Sequence, residues 1–122
     1  MKHKNIFVAC DTSNLSEIKK IINQTQTSKL NVVPKFGLKF FYSKNGRKFL
    51  ENFKKDFWLD LKINDIPQTA LSALDSLKDL KKCKYITVHA NGGLDMLKAI
   101  KKKARSIRKD LKVFGVTILT SL

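Results

Sequence analysis

The chain has 122 residues, 43% of them hydrophobic, which suits one domain with a single core and excludes an intrinsically disordered polymer. No apolar run approaches a bilayer span, and the short run Ile6 to Cys10, stopped by Asp11, is too brief for a secretory signal, so a cytoplasmic protein without a membrane partner is expected. The net charge of +15 admits anionic partners, but the lysines are spread over every helical segment, which argues for solvated faces and against a nucleic-acid surface.

Asn5 to Cys10 (N-I-F-V-A-C) reads as a strand closed by Asp11. Ser13 or Asn14 can cap the helix that follows, with Glu17 in its first turn and Ile18, Ile21 and Ile22 at helical spacing. Gln24 to Ser28 is a polar loop. A second strand begins at Leu30 to Val33, and the stretch to Phe41 carries Lys35-Phe36-Gly37. The recurrence of Phe49, Leu50 and Phe53 predicts a helix over Ser43 to Phe53. Cys10 and Cys83 lack metal-ligand spacing and are expected to be reduced thiols in or near the core.

The third strand opens the stretch Phe57 to Thr69, F-W-L-D-L-K-I-N-D-I-P-Q-T. Side chains alternate along a strand, so Phe57, Leu59, Leu61 and Ile63 take one face and Trp58, Asp60 and Lys62 the other. A carboxylate and an ammonium therefore stand side by side near a strand end. Such a pair on an exposed edge contributes little, but its apolar neighbours mark a buried strand. Asp65 is expected to cap the next helix, with Pro67 in its first turn. That helix is predicted over Ile66 to Leu80, with Ala70, Leu71, Leu74 and Leu77 inward. A fourth strand, Lys84 to His89, is followed by a turn at Asn91-Gly92-Gly93. A helix with Leu94, Leu97, Ile100 and Ala104 inward comes next, then a fifth strand over Lys112 to Leu119. Trp58 reads as a core residue and His89 as a structural hydrogen-bonding histidine.

Regular alternation of strand and helix predicts an α/β fold of right-handed, parallel βα units, about four and a half of them, in one domain over residues 1–122. Length alone favours a small doubly wound sheet. Two features favour part of a TIM (β/α)8 barrel instead. No glycine-rich loop follows the first strand, and polar residues recur at successive strand ends: Asp11, Lys35, Asp60 with Lys62, His89 and Thr120.

The stretch D-L-K-I-N-D-I-P-Q-T (Asp60 to Thr69) resembles the signature of the orotidine 5′-phosphate decarboxylase family. So do A-C-D at Ala9 to Asp11, K-F-G at Lys35 to Gly37, V-H-A-N-G-G at Val88 to Gly93 and V-T-I-L-T-S at Val116 to Ser121, in family order and spacing. The resemblance implies a (β/α)8 barrel acting as a homodimer, with neither metal nor organic cofactor. Its implied reaction converts orotidine 5′-monophosphate to UMP in pyrimidine biosynthesis. It also implies roles by position. Lys35, Asp60, Lys62 and Asp65 form an alternating charged array. Lys62 protonates C6, Asp60 lies against the departing carboxylate, Lys35 holds Asp60 and contacts the ribose, and Asp65 crosses into the partner's site. Asp11 binds a ribose hydroxyl, Thr69 serves the neighbouring subunit's site, and Thr120 lies near the pyrimidine ring.

The sequence departs from the family in stopping just after the fifth strand, without the loops that grip the 5′-phosphate. It is therefore expected to be a partial barrel, poorly active alone. A rival within the superfamily is a metal-dependent sugar-phosphate decarboxylase or aldolase, which shares D-x-K-x-x-D but has an acidic residue where Lys35 stands. Rivals of other classes are a basic nucleic-acid-binding module and a catalytically dead half-barrel that pairs with itself or with a second gene product.

Overall fold

Strands form where β-branched and aromatic residues run together, and helices where apolar residues recur three and four apart. The structure, a computed structural model, describes residues 4–117. Its elements in order are β1 (Asn5–Cys10), α1 (Leu15–Thr25), β2 (Asn31–Gly37), α2 (Leu38–Phe41), α3 (Gly46–Glu51), β3 (Phe57–Ile63), α4 (Pro67–Asp75), β4 (Cys83–His89), a 3-10 turn (Ala90–Gly92), α5 (Leu94–Ile107) and β5 (Lys112–Val116). No helix among the described residues is long and apolar enough to cross a membrane.

The strands form one five-stranded sheet in the order β1-β2-β3-β4-β5, every neighbouring pair parallel. A doubly wound sheet would reverse its strand order at a switch point. This sheet adds each strand beside the last, as the staves of a βα barrel do. The α/β expectation holds, and the strand order decides between the two architectures that length alone left open.

The sheet has two unlike faces. On one, Phe36, Phe57, Leu59, Ile86 and Val88 pack with Ile18 of α1, Leu50 of α3, Leu74 of α4 and Ile100 of α5 in a continuous core. The Phe36 ring meets Phe40, Phe53 and Phe57 at centroid distances of 5.4, 5.7 and 5.7 Å. Burial of each such ring is worth about 1.5–3 kcal/mol, so these contacts tie the helical layer to the strands. The other face carries Phe7, Trp58, Tyr85 and Phe114. The Phe7 ring meets Trp58 and Tyr85 edge-on at 5.1 Å, and Tyr85 stacks on Phe114 at 5.4 Å.

The caps resolve one open choice, and the structure corrects several expectations. Asn14, not Ser13, caps α1, its Oδ1 accepting the N–H groups of Ser16 and Glu17 at 2.9 and 3.2 Å. A cap of this kind contributes about 1 kcal/mol. Asp65 is not the cap of α4. That position belongs to Ile66, and Asp65 stands one residue earlier, accepting the Ile66 N–H at 2.8 Å. In α5 the buried face runs through Met96, Ile100 and Ala104, whereas Leu94 is 65% exposed. Gly93, at φ 90°, turns the chain into α5 so that Leu94 overhangs its start. Strand β2 extends to Gly37 and leads into the short α2, which the sequence reading did not separate. Helix α4 ends at Asp75, short of Leu80, and is followed by turns.

Candidate active site

The charged residues of the inner face meet where β2 and β3 lie side by side. Lys35 pairs in register with Trp58, and Gly37 with Asp60. The Asp60 side chain is only 9% exposed, and two ammonium groups converge on its Oδ2: Lys62 Nζ donates at 2.8 Å and Lys35 Nζ lies 3.5 Å away. Asp60 and Lys62, which alternation predicts on one face, are in direct contact.

Plain alternation does not account for the backbone. Pairing between β3 and β4 slips between Leu59 and Ile63: Leu59 matches Ile86, yet Ile63 matches Val88. The extra residues bulge out, and within the bulge Lys62 takes φ 50°, the one non-glycine positive φ among the described residues. A left-handed lysine is strained by about 1–3 kcal/mol, and such strain collects where a side chain must be aimed. Here it accompanies the return of the Lys62 ammonium onto Asp60.

Behind this pair stands a second tier. The Lys35 ammonium sits over the Trp58 ring, 5.3 Å from its centroid. The Trp58 indole N–H donates to Thr87 Oγ1 at 2.8 Å. Thr87, 2% exposed on β4, keeps its own hydroxyl proton free to donate. Burial pushes the Asp60 carboxyl up. Hydrogen bonding from Lys62 and Thr87, with the charges of Lys62 and Lys35, outweighs burial and holds the carboxyl below the ordinary carboxylate range. Asp60 Oδ1 is buried and has no other hydrogen-bond partner among the described residues, which leaves it to the Thr87 hydroxyl. Trp58, expected in the core, instead bridges Lys35 and Thr87, and Thr87 carries no motif that marks it. Alternation along the fourth strand, which puts Thr87 on the face of Tyr85, was the available signal.

The other predicted site residues are not drawn into this cluster. Asp11 is exposed at the end of β1 and lines a cleft of about 390 Å3 together with Gly37 and Lys39. Asp65 and Thr69 are exposed before and within the first turn of α4, and Asp65 makes no ion pair among the described residues. Thr120 lies outside the described residues. His89 is half-buried at the end of β4, and its ring makes no hydrogen bond among the described residues, so the structural role expected of it finds no support here. No group of three or more His, Cys, Asp and Glu side chains among the described residues is arranged to hold a metal ion.

Two cations on one buried carboxylate can stabilise negative charge developing at the mouth, and either ammonium can supply a proton there. Comparison with known proteins points the same way. Residues 4–122 match the family model described as Orotidine 5'-phosphate decarboxylase / HUMPS family. Orotidine 5'-phosphate decarboxylase of Malacoplasma penetrans is 35% identical over 124 residues, spanning 99% of this chain and 52% of that protein. The protein of the same name from Wolbachia of Brugia malayi is 36% identical over 121 residues, spanning 96% of this chain and 51% of its own length. The chain thus spans about half the length of the curated relatives it matches. Among solved structures, an uncharacterized conserved protein from Geobacillus kaustophilus superposes with a TM-score of 0.78 at 26% identity, covering 95% of this chain and 55% of that one.

Proposed function

Because the chain belongs to the orotidine 5'-phosphate decarboxylase / HUMPS family over residues 4–122, we propose that it supplies the charged reaction centre of an orotidine 5′-phosphate decarboxylase, forming UMP and CO2 from orotidine 5′-monophosphate in pyrimidine biosynthesis. The observation that carries this reading is the convergence of Lys35 and Lys62 on Asp60 Oδ2 at 3.5 and 2.8 Å. Loss of CO2 from C6 leaves a carbanion with little resonance relief. The Lys62 ammonium stabilises that charge and then delivers its proton to C6. Asp60, kept ionised by both lysines, orients Lys62 and faces the departing carboxylate. Lys35 holds Asp60 and reaches the ribose.

The remaining assignments follow the family resemblance. Asp11 takes a ribose hydroxyl, Thr120 lies near the pyrimidine, and Asp65 and Thr69 serve a partner's site in a cytoplasmic homodimer. Residues 1–122 contribute to one barrel domain, and the chemistry uses no metal or organic cofactor. The metal-dependent alternative needs an acidic side chain at position 35, where this chain has lysine.

The test has two arms. The product UMP should perturb the NMR signals of Lys35, Asp60 and Lys62 in the chain. Decarboxylation of orotidine 5′-monophosphate by a barrel completed to the length of the relatives, followed by absorbance, should be abolished by Lys62→Ala and indifferent to a chelator. Turnover that survives Lys62→Ala, or UMP binding that leaves the three residues undisturbed, overturns the reading.

A further inference from the structure

The outer, helical layer carries a groove that the reaction does not use. It lies between α1 and α3, has a volume of about 580 Å3, and is within the range of small-ligand sites. Leu15 and Ile22 of α1 form one wall, with Phe49 and Phe53 opposite. These two rings are anchored in the core, Phe49 against Phe36 at 6.2 Å and Phe53 against Phe57 at 5.7 Å, so the floor is preformed. The two walls follow β1 and β2, which pair in parallel.

The rim is one-signed. Lys19, Lys48, Lys54 and Lys55 line it, all exposed, and no aspartate or glutamate does. None of the four makes an ion pair among the described residues, although Lys35, Lys62, Lys78, Lys84 and Lys103 all do. Apolar floor and cationic rim select for a ligand with a greasy body and an anionic end.

We propose that the α1–α3 groove binds a single-chain carboxylate amphiphile, its chain along Leu15, Ile22, Phe49 and Phe53 and its head group among the rim lysines. The lysine stems extend the apolar wall while their ammonium groups meet the carboxylate.

The test titrates the chain with dodecanoate below its micelle-forming concentration, followed by amide NMR, with dodecyltrimethylammonium as the control of opposite charge. Saturable shifts confined to α1, α3 and residues 52–55 are expected with dodecanoate, and none with the cation. The double variant Lys48→Glu/Lys55→Glu should weaken dodecanoate binding by about tenfold. Should circular dichroism show that this variant does not fold, the comparison of dodecanoate with the cation on the unaltered chain decides. Equal binding of the cation, undiminished binding by a folded double variant, shifts centred on Phe7, Trp58 and Phe114 of the inner face, or no saturable binding at all would each overturn the proposal.

Discussion

The indole N–H of Trp58 on β3 reaches the hydroxyl of Thr87 on β4 at 2.8 Å, and the same indole ring lies under the Lys35 ammonium at 5.3 Å. Trp58 therefore touches two groups that each bear on Asp60. Trp58→Phe keeps a ring beneath Lys35 but removes the hydrogen bond and trims the packing on Phe7 and Phe114, at a cost of about 1–3 kcal/mol. Thr87→Val should raise the Asp60 pKa, because Thr87 favours the ionised carboxylate. Denaturant unfolding reads the first change and a carboxyl NMR titration the second. An unmoved Asp60 titration would show that Thr87 does not act on it.

Lys62→Ala removes the nearest partner of Asp60. The folded Asp60 pKa lies below its unfolded value, so its stabilisation is present above the unfolded pKa and is lost as pH falls through the folded pKa. The variant should therefore be less stable than the parent at neutral pH, with the gap closing in acid. Lys62 is 43% exposed, so solvent screening limits the difference to about 1 kcal/mol. Urea titrations at several pH values measure it, and a gap independent of pH would contradict this account.

Lys62→Gly loses the same ion pair but tolerates φ 50° without a Cβ penalty. It should be more stable than Lys62→Ala by about 1 kcal/mol. The pair of variants separates backbone strain from charge, since only the backbone term differs between them. Equal melting temperatures would place the strain elsewhere.

Gly46 has no room for a side chain. An added Cβ would collide with the carbonyl oxygen of Phe40. Gly46→Ala must push α3 away from α2 and should cost about 1–3 kcal/mol, seen as a lowered midpoint in thermal unfolding.

The two thiols should be inert in the folded chain. Burial, with a smaller contribution from Asp11, pushes Cys10 up to about 11, and burial pushes Cys83 up to about 12. Thiolate is then scarce at neutral pH, and both cysteines should react with a disulfide reagent only on unfolding. Rapid labelling of the native chain would contradict their burial at 1% and 2% exposure.

Much of this site was legible because strand alternation is a strict local rule. The span of β3 and the nearness of Asp60 to Lys62 follow from the residues alone. The bulge after Leu59 was not legible, since it depends on how β3 pairs with β4, a partner far along the chain. The contact between Trp58 and Thr87 was hidden for the same reason. The buried face of α5 was misread at its start. Leu94 fits a helical stripe on paper, but a residue in the first turn can overhang the sheet whatever its phase, and Met96 takes the inward place.

One carboxylate shared by two ammonium groups leaves a surplus positive charge at the rim of the sheet, on a chain whose net charge is already +15. An anionic ligand of the kind proposed above would fall into that potential as it diffuses in, and added salt would slow its arrival.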